Sequence, residues 1–233
     1  MSGILVASLN RYFYIGISLL IAAIVLGGFV PTIDVRLFHP PAPRPAILYV
    51  HAAVFTAWVV FFIVQAALVG RRNVKLHRTL GCWGVALGSA IPLLGLATAI
   101  VLDRAEGRHD DDAAAFLAVS CYDMLAFAVT FALAIRWRKK PELHRRLMLI
   151  ATCGLTSAAI ARLLPPDISI VWIYVGVDLL ILLGVARDLL VAKRVHITYL
   201  MAFPVILLGQ ATALQLMLSR SPAWLALAHR LIG

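Results

Sequence analysis

The sequence predicts an all-α fold: a polytopic bundle of seven transmembrane helices, amino terminus inside and carboxyl terminus outside. Three observations predict it. Of the 233 residues, 62% are apolar and 14% charged, with a mean hydropathy of +0.94, against roughly 45–50% apolar and about 25% charged in a soluble domain. The apolar residues gather into seven runs, each close to the about 20 residues that a bilayer span needs. Lys and Arg are rich in alternate loops, as the positive-inside rule requires. This composition excludes a soluble globular domain and a disordered tail. Seven spans also leave no room for a separate soluble domain of ordinary size, so residues 1–233 read as one transmembrane domain.

The first run covers about residues 12–32. It has no small-x-small cleavage site and reads as a retained helix, not a signal peptide. The segment Pro40-Pro41-Ala42-Pro43-Arg44-Pro45 is too proline-rich for a helix and is expected to lie extended on the outer surface. The second run, 46–69, is followed by Arg71, Arg72, Lys75 and Arg78. In the third run, 81–102, Gly84 and Gly88 repeat at four residues, with Gly81 a turn earlier, a spacing that suits close helix approach. Pro92 there, and Pro204 later, are expected to kink their helices. The fourth run, 114–137, leads into Arg136, Arg138, Lys139, Lys140, Arg145 and Arg146. The fifth and sixth runs are 147–164 and 168–186, and Arg187, Lys193 and Arg194 follow. The seventh is 197–218. Residues 222–232 open with Pro222 and carry apolar residues at helical spacing, predicting a short helix at the outer interface.

With Arg11, the basic segments fall on one side of a seven-span layout and hold 14 of the 21 bases, while the other side holds seven of the 11 acids, Asp110, Asp111 and Asp112 among them. The basic side is then cytoplasmic. The net charge of +10 therefore reads as topology and not as nucleic-acid binding. The expected partners are the lipid bilayer and, at the cytoplasmic loops, anionic lipid. Cys82, Cys121 and Cys153 all lie in apolar runs without CxxC spacing, which argues against a disulfide framework or thiolate metal site and for packing.

Five polar side chains fall inside the runs: His51, Asp123, Arg162, Asp178 and Gln210. An ionisable residue in a span costs about 2.5–3.5 kcal/mol on insertion scales and reads as functional by default. At 1.5 Å per residue all five lie in the outer half, within roughly 15 Å of the surface, as one outward-facing polar pocket would require. Arg162 is the expected partner of Asp178 or Asp123. A carboxylate at that depth must be paired, protonated or facing a wet cavity. A proton relay or ligand site, with Arg162 holding an anionic group, stands beside a purely structural reading of one ion pair and a few interhelical hydrogen bonds. Two carboxylates and an imidazole suffice as donors for a metal, but no HExxH or HxxxH spacing is present.

Three hairpins resemble one another: His51 to His77, Asp123 to His144 and Asp178 to His196. Each has an ionisable residue in the descending helix and a histidine where the next begins. Parallel repeats occur in transporters, and the shared topology of two-helix units is the competing explanation. His77 and His144 are the candidate axial ligands of a b-type haem if spans three and five are adjacent; the alternative is a His-Arg pair capping each helix start. Gln65 is expected to hydrogen-bond a neighbouring helix, and Trp58, Trp83, Trp137, Trp172 and Trp224 to form an interfacial belt.

Several of these residues sit in recognisable strings. His51 lies in a helix ending Val64-Gln65-Ala66-Ala67-Leu68-Val69; then come Leu76-His77-Arg78-Thr79-Leu80-Gly81, Pro141-Glu142-Leu143-His144-Arg145-Arg146-Leu147-Met148 and Ala161-Arg162-Leu163. Over about residues 46–164 this resembles a group of bacterial predicted multi-span membrane proteins. The resemblance implies a helical protein of the bacterial inner membrane and no particular reaction. In helix count and histidine placement that group is distantly similar to cytochrome b561-type haem bundles. The layout is also similar to intramembrane hydrolases of the alkaline ceramidase and adiponectin-receptor type, whose last-span HxxxH is absent here. The leading expectation is an inner-membrane protein, not an enzyme, whose outward-facing pocket binds or conducts a small solute or protons. The alternatives are a b-type haem redox protein and a structural or assembly factor.

Overall fold

The computed structural model describes residues 3–233, with side chains from residue 7. Among these residues the regular structure is helical throughout: α1 (Gly3–Ile33), α2 (Ala46–Gly70), α3 (Val74–Ala105), α4 (Asp111–Arg136), α5 (Pro141–Gly154), α6 (Ser157–Leu163), α7 (Val171–Ala192), α8 (Ile197–Leu218) and α9 (Pro222–Ile232). A π-helical turn, Asp34–Phe38, extends α1. The all-α expectation holds. Five helices (α1 with its π turn, α2, α3, α4 and α8) are long and apolar enough to cross a membrane, and α5 with α6, bent by 43°, makes a sixth such unit. At 22 residues α7 is as long as α8, but it carries Asp178, Arg187 and Asp188.

The last two helices have the expected bounds. Of the others, α3, α4 and α5 begin before their apolar runs because polar residues or proline start them, α7 begins three residues late, and the fifth run is divided between α5 and α6. Asn73 accepts the Leu76 N–H at 3.2 Å, and Asp110 accepts the Ala113 N–H at 2.8 Å, so α3 and α4 begin several residues early by N-capping. Pro141 stands in the first turn of α5, where its missing N–H costs nothing. The proline-rich segment before α2 is not helical, as expected.

Neighbouring helices form a ring in the order α1, α2, α3, α4, α8, α7 and back to α1. The α5–α6 unit fills it: α5 packs on α4, α7 and α8, and α6 on α1 and α7. Hence α5 buries Arg146, Leu147, Leu149, Ile150, Ala151, Thr152 and Cys153. A helix surrounded by others needs no lipid-facing stripe, so it tolerates polar residues that find partners inside. The ring helices instead expose large apolar side chains such as Leu93, Leu125, Val205 and Leu208. At the joint, Thr156 turns its hydroxyl onto the Cys153 carbonyl at 2.6 Å. Gly28 lets α1 approach α6 closely, since a Cβ there would strike the Ala159 backbone.

The end of the bundle where α4 begins carries Asp110–Asp112 and is called the acidic end; the end where α5 begins carries Arg138–Lys140 and is called the basic end. At the acidic end α9 folds onto α3 and α4, packing Ala228 and Ile232 on Ala114 and Leu117. Trp224 donates its indole N–H to the Ala114 carbonyl at 2.9 Å, and His229 and Arg220 contact Asp111 and Asp112.

Four expectations need correction. Gly84 and Gly88 do not seat a helix backbone; each faces an aromatic ring, Phe61 and Phe131 respectively. Trp58 is not in a belt: it is 1% exposed and packs edge-on against Phe127 and Phe131. Gln65 is buried without a hydrogen-bond partner among the described residues. Cys82 is exposed and is no packing residue, whereas Cys153 is buried.

Candidate functional site

Asp123 sits at the middle of α4 and faces the first residue of α6. One carboxylate oxygen accepts the Ser157 hydroxyl at 2.6 Å, and the other accepts the Tyr174 hydroxyl of α7 at 3.1 Å. One turn further along α7, Asp178 accepts the Gln210 side-chain amide of α8 at 2.9 Å. Tyr122, beside Asp123, packs edge-on against Tyr174 with ring centroids 6.0 Å apart and donates to the Ile206 carbonyl at 2.8 Å. Gly209 gives this ring its seat on α8. Four helices thus meet around a cavity of about 20 Å³ walled by Tyr122, Asp123, Thr130, Gly154, Tyr174 and Gln210. That volume holds a water or two and no larger solute.

The structure brings together three of the five predicted side chains, Asp123, Asp178 and Gln210. It leaves out Arg162 and His51. Arg162 lies 4.4 Å over the Phe29 ring of α1 and donates to the Ala158 carbonyl at 2.6 Å; the expected pairing with Asp123 or Asp178 is not formed. The reason is helical periodicity. Five residues separate Ser157 from Arg162, about 140° around the axis. The face that takes Ser157 to Asp123 therefore turns Arg162 towards α1. His51 stacks on Phe55 at 4.0 Å and belongs to α2. The sequence reading missed Tyr122, Ser157 and Tyr174. Tyr174 had a signal: it precedes Asp178 by four residues, the spacing that shares a helix face.

A second polar cluster occupies the basic end. Arg146 grips Asp188 with two hydrogen bonds of 2.7 Å and also reaches the Glu142 carboxylate at 2.7 Å. Arg187 binds Asp188 at 2.8 Å and contacts the Asn10 side chain. The side chains of Arg146, Arg187 and Asp188 are 2%, 2% and 1% exposed. Arg146 and Arg187 are therefore not lipid-facing loop cations, as their position between the apolar runs suggested. The helices extend past those runs and bring both inside.

His77 and His144 approach one another across the starts of α3 and α5, ring centroids 6.3 Å apart and planes at 72°. The His144 Nδ1 is 2.9 Å from the Ala134 carbonyl, so Nδ1 carries the hydrogen and Nε2 has the free lone pair. Among the described residues no group of three or more His, Cys, Asp or Glu side chains is placed to hold a metal ion.

The class is thus an all-α protein whose apolar helices are those of a membrane protein. No family model matches the chain, and no curated protein or solved structure is significantly similar to it.

Proposed function

We propose that the chain spans the bacterial inner membrane seven times, basic end inside, and that Asp123 and Asp178 bind and exchange protons from the outer side. One observation carries this reading: both carboxylates are held by neutral donors only, and Asp123 and the Gln210 that holds Asp178 line a cavity of water size. A buried charge without a cation costs several kcal/mol, so each carboxylate is made tolerable by taking up a proton. The small cavity supports a proton over a larger solute. Infrared titration of the protein in lipid tests it. A protonated-carboxyl band is expected at neutral pH in the wild type and is expected to weaken in Asp123→Asn and in Asp178→Asn. Proteoliposomes carrying a pH dye are expected to lose potential-driven proton uptake in the same variants. Absence of both signals in the wild type refutes the reading.

A second reading, a b-type haem redox protein, is favoured by one observation: the His77 and His144 rings are near neighbours, and the backbone orients the second. The visible spectrum of purified protein decides it. A Soret band that shifts on reduction and disappears in His144→Ala supports it, and a colourless preparation rejects it.

A further inference from the structure

The ion network at the basic end, buried at Arg146, Arg187 and Asp188, is out of balance. Three guanidiniums, Arg145, Arg146 and Arg187, share two carboxylates, Glu142 and Asp188. Arg146 takes both oxygens of Asp188 and shares Glu142 with Arg145. Arg187 is left one oxygen of Asp188 and a neutral amide, although its side chain is 2% exposed. An excess positive charge in such a place requires a counter-charge.

The unused donors show where it is missing. Among the described residues, Arg145 Nε, Arg187 Nε and the Tyr14 hydroxyl are buried and have no hydrogen-bond partner. All three gather about one ring: the Arg145 and Arg187 guanidiniums lie 5.5 Å and 5.8 Å from the Tyr14 ring centre. Buried donors in folded proteins are almost always paired. Three donors with a surplus of one positive charge match a tetrahedral oxyanion, whose oxygens accept several charge-assisted hydrogen bonds at once. The cluster draws on Tyr14, three turns into α1, on Arg145 near the start of α5 and on Arg187 in the last two turns of α7, at the basic end of the bundle.

We propose that Tyr14, Arg145 and Arg187 form a binding site for a phosphate group, either an anionic lipid headgroup or a free phosphate. The proposal is independent of proton exchange at Asp123, and only its assignment to the inner leaflet rests on the seven-span reading.

The test is native mass spectrometry of the full chain released from nanodiscs of equal phosphatidylglycerol and phosphatidylcholine. A parallel arm measures thermal unfolding in lipid-free detergent with and without inorganic phosphate. Two guanidiniums near a headgroup predict about thirtyfold preferential retention of phosphatidylglycerol. Arg145→Gln, at a side chain already 31% exposed, is expected to remove the preference without unfolding the bundle. Tyr14→Phe, which leaves the charge unchanged, is expected to weaken it. Lys139→Gln, on the exposed approach to α5, is expected to leave it intact. Retention of phosphatidylglycerol assigns the site to a headgroup. Protection by inorganic phosphate without a lipid preference assigns it to a free phosphate. The proposal falls if neither ligand is preferred, or if Lys139→Gln acts as strongly as Arg145→Gln, which would reduce the effect to general surface charge.

Discussion

Ser157, the first residue of α6, donates a 2.6 Å hydrogen bond to Asp123 at the middle of α4. The contact forms beside the break in the central helix. Ser157 follows directly on the bend of 43° between α5 and α6. Breaks of this kind are tolerated in membranes where the freed backbone and side chains are buried in protein.

Removing that donor tests how much the break contributes. Ser157→Ala is expected to cost about 0.6–1 kcal/mol, the scale of an interhelical hydrogen bond in a bilayer. Reversible unfolding in mixed micelles measures it. The same variant is expected to shift the Asp123 carboxyl band in the infrared, because one of its two hydrogen bonds is lost.

At the basic end the stakes are higher. Asp188→Asn leaves Arg146 and Arg187 buried without their shared counter-charge and is expected to destabilise by about 3–5 kcal/mol. The paired change Arg146→Met with Asp188→Leu removes both charges of the two-pronged contact and is expected to recover part of that loss. Unfolding of the two variants, compared with the wild type, checks the order.

Gly184 tests the packing beneath the site. A Cβ there would meet the Tyr199 hydroxyl and lie 2.9 Å from the Leu149 Cδ2. Gly184→Ala is expected to cost about 1–3 kcal/mol by overpacking. Adding Tyr199→Phe, which deletes the hydroxyl, is expected to restore part of it, and thermal unfolding of the single and double variants measures the recovery.

His196 gives a pH dependence outside the spans. Its Nδ1 accepts the Thr198 N–H at 3.1 Å and caps α8. Only the neutral ring has that lone pair. Burial, with a smaller contribution from Arg146, holds its pKa below the ordinary histidine value. The folded state thus binds the proton less readily than the unfolded chain. The cap is fully present above about pH 6.5 and its contribution is lost as pH falls from there through the folded value. A neutral cap replacement, His196→Asn, is expected to flatten this part of the melting-temperature profile between pH 7 and pH 5, the range that brackets histidine titration.

The topology predicts its own readout. With seven spans, alkaline phosphatase fused after Gly233 is expected to be active and a fluorescent protein fused there dark. Fusions after Lys139 are expected to show the reverse. A bright, phosphatase-negative carboxyl terminus would mean that α7 does not cross.

The existence and approximate places of the long apolar helices were readable from composition alone, though not the break between α5 and α6. In lipid each span satisfies its own backbone, so length and apolar content decide where a helix lies without reference to its neighbours. For that reason α8 matches its expected bounds, and three of the five polar residues singled out in the runs, Asp123, Asp178 and Gln210, lie together. What the sequence left open is rotation about each axis and the order of the helices in the ring. Arg145 and Arg146 are adjacent and chemically alike, yet one is 31% exposed and the other 2%. Arg162 and Ser157 share a short helix and serve different neighbours. A turn of about 100° per residue decides which side chain enters the bundle, and only contacts among α4, α5, α6 and α7 set that angle. Composition therefore determined an apolar helical bundle with carboxylates inside its runs; tertiary packing decided that neutral donors hold Asp123 and Asp178 while Arg146 and Arg187 gather at the basic end.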